Sequence, residues 1–175
     1  NVAKRKEIVF VCTGNVCRSP MAEYLLRHRL GKDSGWTVSS AGIFAADGSS
    51  ASIEAVTALK ERGIDLRPHR SRQLVSEIVE NAELLIAMTD QHRQYIVQGF
   101  PEAKDRVFLL TSFGLAKPPA GIPDPIGLSV NVYRRVRDEM DLAISDLILY
   151  LRSVYALALT VCLREPTYGV GVLLS

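Results

Sequence analysis

The chain has 175 residues, 47% of them apolar and 23% charged, with a formal net charge of +2. This fits one domain with a sizeable core; it excludes a disordered chain, and the small charge with no basic, aromatic-interleaved run excludes a nucleic-acid surface. Three cysteines, Cys12, Cys17 and Cys162, are too few for a secreted disulfide framework and point to a reducing, cytoplasmic setting. The opening stretch NVAKRKEIVFVC is basic, but its apolar run is too short and its end wrong for a signal peptide. It begins with Asn1 rather than Met, as a trimmed chain or a piece of a longer protein would.

Residues 7–12, EIVFVC, read as a buried strand bounded by Gly14. From Ser19 to Leu30 a helix is expected, with Met21, Ala22, Leu25, Leu26 and Leu30 at helical spacing, Pro20 in the first turn and Gly31 at the end. WTVSSAG is a second strand. Residues 52–62 read as a helix with Ile53, Val56 and Leu59 inward, stopped by Gly63. A helix over 74–81, a strand over 83–88, a short helix over 90–98 and a strand over 106–110 follow. A Gly/Pro-rich connection, TSFGLAKPPAGIPDPIGLS, then leads to a long helix from Val130 with a stripe of Tyr133, Val136, Met140, Ala143, Leu147 and Leu151.

This alternation predicts an α/β fold: a doubly wound, four-stranded parallel sheet with helices on both faces and right-handed crossovers. Ligands in such sheets sit outside the carboxyl ends of the strands. Cys12 ends the first strand, and the loop of about 19 residues after the fourth starts from the same edge. The two should meet in space.

The segment CTGNVCRS, between a strand and a helix start, turns backbone N–H groups inward, and the helix dipole adds partial positive charge. Such a cradle suits a phosphate or another tetrahedral oxyanion. Arg18 adds a planar fork for two oxygens, and Cys12 in that field is favoured as a nucleophilic thiolate. Lysine, which a nucleotide-binding loop would put at the helix start, is absent. A cysteine six positions before an arginine recurs by chance, and its bland reading is a core strand followed by a solvated helix. The strand before it, Gly14 within it and Ser19-Pro20 after it lift the segment above that reading.

VCTGNVCRSPMAE resembles the signature of the low-molecular-weight protein tyrosine phosphatases. The likeness runs over residues 7–152 through SSAG (39–42), GIDLRPHRSRQL (63–74), AMTDQH (87–92) and DPIG (124–127). It implies that Cys12 attacks phosphorus and becomes phosphocysteine, while Arg18 and the amides of Thr13, Gly14, Asn15, Val16 and Cys17 hold the phosphoryl oxygens. Asp124, followed by Pro125, would protonate the leaving oxygen and then deprotonate the attacking water. Ser19 would hydrogen-bond the Cys12 thiolate, and Asn15 would hold an unusual backbone conformation, braced by Ser40 and His69. A surface histidine between Pro68 and Arg70 is the alternative for His69. Cys17 is either a small loop residue or, as the resemblance implies, the partner of Cys12 in a reversible protective disulfide. No metal and no cofactor are expected, and the partner is a phosphorylated protein.

The substrate signals diverge. Tyrosine-specific members of the family carry aromatics after Asp-Pro, where this chain has Ile126 and Gly127. AMTDQHRQYI and DPIGLSVNVYRRVRDEM instead resemble the related bacterial protein-arginine phosphatases, which place Thr where Val16 stands. Val16 lacks the hydroxyl that could handle a guanidinium, and branched apolar residues there are typical of the tyrosine enzymes. Phe44 is either a wall of the cleft or ordinary packing. Because Val16 lies inside the loop, phosphotyrosine is the expected substrate and phosphoarginine the alternative. An arsenate reductase would need relay cysteines, and residues 63–100 have none. A phosphocysteine carrier protein would not need Asp124, nor would a phospho-binding module.

Residues 1–152 are expected to form the phosphatase domain and 153–175 an apolar C-terminal extension. Val154–Leu163 is too short for a membrane span, which takes ~20 residues. Packing against the domain is the bland reading and a homodimer interface the sharper one.

Overall fold

Four short apolar segments pair into one sheet, every pairing parallel. β1 (Lys6–Cys12), β2 (Trp36–Gly42), β3 (Leu84–Ala87) and β4 (Val107–Leu109) lie in the order β2-β1-β3-β4. The computed structural model describes residues 6–114 and 120–162, with side chains as far as residue 155.

Side chains alternate across the sheet, as the strand period of two requires. Ile8, Phe10 and Cys12 enter a core shared with α1 (Arg18–Leu30), α2 (Ile53–Lys60) and α5 (Val130–Cys162). Val9 and Val11 point to the opposite face and pack with α3 (Ser76–Asn81) and α4 (Asp90–Gly99). The doubly wound architecture expected from the alternation is therefore present. The chain leaves β1 to one side to form β2, then crosses to the other side for β3 and β4. That reversal opens a crevice at the carboxyl ends of β1 and β3. Cys12 sits there, opposite Gly42 in the ladder.

The α5 stripe is buried from Tyr133 to Leu151, as its periodicity predicts. The α2 face differs from expectation. Ser52 caps this helix, its hydroxyl accepting the Ala55 N–H at 3.3 Å. Ile53 is thereby the first helical residue, and the inward row is Ala55, Ala58 and Leu59. Ile53, expected inward, is 81% exposed. The fourth strand stops at Leu109 because Leu110–Ser112 tightens into a short turn of helix.

Helix α5 runs past Arg152 without a break. Tyr155 packs edge-on against Trp36 at 4.8 Å between ring centres, lies beneath the Lys6 ammonium, and donates to the Glu83 carboxylate at 3.2 Å. Of the extension 153–175, where a homodimer interface is the sharper expectation, residues 163–175 lie outside the described residues, as do residues 1–5. Among the described residues no helix is long and apolar enough to cross a membrane.

Candidate active site

Residues 12–18 wrap from the end of β1 into α1, and their carbonyls are tied to the surrounding scaffold. The Cys12 carbonyl accepts the Ile43 N–H at 3.0 Å, Thr13 that of Phe44 at 2.9 Å, and Val16 that of Ser52 at 2.9 Å. The Asn15 carbonyl accepts from His69 Nε2 at 2.7 Å. A peptide whose oxygen is held outward turns its N–H the other way, so the loop amides are aimed at the concave side. That is the geometry of an anion-binding nest. The approach is close on the outside too. A Cβ added to Gly42 would stand 2.5 Å from the Thr13 oxygen and 3.0 Å from the Asn15 nitrogen, so only glycine fits.

Asn15 is fully buried with φ +57°, the one non-glycine residue in the left-handed region among those described. Its side chain spends every bonding group. Nδ2 donates to Ser19 Oγ at 2.8 Å and Ser40 Oγ at 2.9 Å, while Oδ1 accepts the Arg72 N–H at 2.9 Å. Ser40 in turn donates to the Glu23 carboxylate at 2.7 Å. Burial raises the pKa of Glu23, against opposing pulls from Ser40 and Arg27, and burial lowers that of His69. Ser19 Oγ accepts from Asn15, so its one hydrogen faces two acceptors, the Cys12 sulfur at 2.9 Å and the Ala41 carbonyl at 3.5 Å. The contact with the thiol is the shorter of the two.

The long loop after β4 does reach this crevice. Arg18, 5% exposed, donates to the Ile122 carbonyl at 3.1 Å, and its other terminal nitrogen lies 3.4 Å from Asp124 Oδ2. The second Asp124 oxygen accepts the Ile126 N–H at 3.1 Å, a turn that Pro125 stiffens. Arg18 lies in the floor and Asp124 faces solvent at the rim, an arrangement able to hold a phosphoryl group and protonate what leaves it.

Around the mouth, Phe44 and Ile126 are 68% and 60% exposed, and Val16 is half-buried. Phe44 meets Tyr95 of α4 edge-on at 5.3 Å. Thr13 is exposed and Gly14 half-buried. Cys17 is buried, its sulfur 3.2 Å from the Tyr133 hydroxyl and 3.7 Å from that of Ser52. Burial pushes its thiol up in pKa, only partly offset by those hydrogen bonds. Cys12 and Cys17 are both free thiols.

Four contributors escaped the sequence reading: Gly42, Arg72, His92 and Tyr95. His92 is buried, with Nε2 2.9 Å from Thr13 Oγ1. Its signal was present in AMTDQH, where Thr89 and His92 have the spacing of a reciprocal helix cap.

Fold and loop together define an α/β protein with a cysteine-containing oxyanion nest at the switch point of its sheet. Residues 7–156 match the family model for low molecular weight phosphotyrosine protein phosphatases, and the chain belongs to that family. It is 48% identical over 140 residues to a protein-arginine-phosphatase of Geobacillus stearothermophilus, covering 80% of this chain and 92% of that one. It is 38% identical over 120 residues to the low molecular weight protein-tyrosine-phosphatase Ptp of Acinetobacter johnsonii, covering 69% and 80%. The solved structure of the YwlE arginine phosphatase from Geobacillus stearothermophilus superposes with a TM-score of 0.78 at 45% identity, covering 85% of this chain and 94% of that one.

Proposed function

We propose that this chain hydrolyses phosphotyrosine in proteins through a phosphocysteine on Cys12. The Cys12 thiolate attacks phosphorus as the bond to the phenolic oxygen breaks, and Asp124 gives that oxygen its proton. Asp124 then takes a proton from water as the water attacks phosphorus and the S–P bond breaks, releasing phosphate and the thiolate. Arg18 and the inward amides hold the equatorial oxygens throughout, stabilising the charge that develops there. The observation that carries this reading is the convergence of Ser19 on the Cys12 sulfur at 2.9 Å with Arg18 and Asp124 at 3.4 Å from each other.

The choice of phosphotyrosine rests on the mouth. In this reading Val16, Ile126 and the Phe44–Tyr95 pair line the mouth, where the rings suit a flat phenol and Val16 and Ile126 offer a guanidinium no side-chain hydrogen-bond partner. Phosphoarginine is the second reading, favoured by the 48% identity to a relative named protein-arginine-phosphatase. In this scheme residues 1–152 are the catalytic domain and 153–175 an extension, and a reversible Cys12–Cys17 disulfide shields the nucleophile. A nucleophilic thiolate needs a reducing compartment, hence a cytoplasmic setting.

The deciding experiment is phosphate release from matched phosphotyrosine and phosphoarginine peptides, with Cys12→Ser and Asp124→Ala beside the wild type. Faster release from phosphotyrosine, abolished by Cys12→Ser, is expected. Faster release from phosphoarginine would reverse the substrate, and activity that survives Cys12→Ser would defeat the mechanism.

A further inference from the structure

One buried side chain fastens α4 to the phosphate loop, and the reaction scheme does not use it. His92 lies in the first turn of α4 and is 4% exposed. Its backbone N–H donates to Thr89 Oγ1 at 3.3 Å, and its Nδ1 accepts the Thr89 N–H at 3.2 Å. In such reciprocal caps Glu or Gln usually supplies the returning acceptor. An imidazole in that position has a second nitrogen, and the cap decides what it does. With Nδ1 accepting, the neutral ring carries its proton on Nε2, which donates to Thr13 Oγ1 at 2.9 Å. Burial first, and then the Arg18 charge, hold the pKa of His92 down to about 4 against the pull of Asp124. The donating tautomer therefore persists throughout the neutral range.

Thr13 is the residue that follows the thiol. The segment after β2 holds its carbonyl through the Phe44 N–H at 2.9 Å, and α4 holds its hydroxyl through His92. Tyr95, one turn beyond His92 on α4, leans on the same Phe44 ring. Loop, wall and helix thus close a cycle: Thr13 to His92, along α4 to Tyr95, across to Phe44, and back to Thr13.

The geometry points to His92 as a positioning residue for phosphoryl transfer, one that fixes the first peptide of the loop through Thr13 and sets Tyr95 against Phe44 at the mouth. This rests on the reading of residues 12–18 as the phosphate-binding loop. His92 touches no reacting atom and acts through Thr13.

A double-mutant cycle tests it, with His92→Ala, Thr13→Val and the pair. The readouts are kcat/KM for p-nitrophenyl phosphate and the dissociation constant of inorganic phosphate by titration calorimetry. Each single change is expected to cost on the order of tenfold in both, and the pair no more than the worse single. His92→Asn, which keeps an N–H donor on the first turn, is expected to recover part of the loss. Losses that multiply in the pair overturn the proposal, as does a His92→Ala protein within about twofold of wild type in both readouts. Should His92→Ala fail to fold, Thr13→Val at its exposed position carries the test, and unchanged values there overturn the proposal equally. Wild-type protein without Cys12-dependent turnover would strike the hydrolase reading instead, and phosphate affinity across the same variants would still decide the role of His92.

Discussion

The Asp124 carboxylate stands 3.4 Å from the Arg18 guanidinium, the aspartate side chain 45% exposed at the rim and the arginine buried in the floor. Under the proposed mechanism an incoming phosphoryl group would compete for that guanidinium and free the carboxyl to meet the leaving oxygen. Asp124→Asn keeps the shape but cannot give up a proton. It is expected to lower kcat on a phosphotyrosine peptide by roughly 10²–10³, the usual weight of a general acid. The loss should shrink for p-nitrophenyl phosphate, whose leaving group needs less protonation. Equal losses on the two substrates would remove Asp124 from the acid role.

Asn15 joins four parts of the chain: the loop, Ser19 at the start of α1, Ser40 in β2 and the segment carrying His69 and Arg72. Its left-handed backbone would suit glycine, but its amide would not be replaced by one. Asn15→Ala loses the hydrogen bonds and keeps the strain, and should destabilise the fold by about 2–4 kcal/mol. Asn15→Gly relieves the strain and should cost less stability. Both should lose activity, because Ser19 is no longer oriented toward Cys12. Urea unfolding beside kcat/KM separates the two effects, and an Asn15→Gly enzyme with full activity would refute the orienting role.

Two buried histidines give stability a pH dependence with a definite sign. The folded-state pKa of His92 is depressed from 6.5 to about 4, mainly by burial, and that of His69 is lowered for the same reason. An unfolded chain binds these protons more readily. The stabilisation is therefore fully present above pH 6.5 and is lost as pH falls toward 4, worth roughly 2–3 kcal/mol for His92. Urea midpoints followed from pH 7.5 to 4.5 should fall more steeply for wild type than for His92→Asn, with His69 keeping some slope in the variant. Parallel curves would mean that the folded protein takes up the His92 proton as readily as the unfolded chain does.

How much of this was legible depended on whether a feature is local or long-range. β1, α1 and the loop between them are written contiguously in IVFVCTGNVCRSPMAE, and strand, turn and helix signals there agree. The stripe of α5 was equally plain, because a 3.6-residue period held over many turns admits one buried face. On α2 Leu59 is buried as expected and Val56 partly so, but Ser52 as cap leaves Ile53 as the first helical residue, in solvent, while Ala55 and Ala58 face inward. Gly42 was visible only as part of SSAG; its necessity comes from the Thr13 carbonyl, brought beside it by strand pairing. Tyr95 carried no signal at all, since an aromatic on a short helix reads equally as core. Its contact with Phe44 exists only once α4 has packed on the sheet.

Val16 offers the sharpest test of what the mouth selects. Its carbonyl is pinned by Ser52, so its side chain can be exchanged without releasing the loop. Val16→Thr changes a methyl for a hydroxyl at nearly constant volume. A hydroxyl beside the phosphoryl group would hydrogen-bond a guanidinium or a water that an apolar side chain repels, whereas a phenol ring would gain nothing from it. The ratio of kcat/KM for phosphoarginine over phosphotyrosine peptides is therefore expected to rise, on the order of tenfold, chiefly through faster phosphoarginine turnover. If the ratio holds still while both activities survive, the hydroxyl is irrelevant. The selection would then lie with Phe44, Tyr95 and Ile126, and Tyr95→Ala should shift the ratio instead.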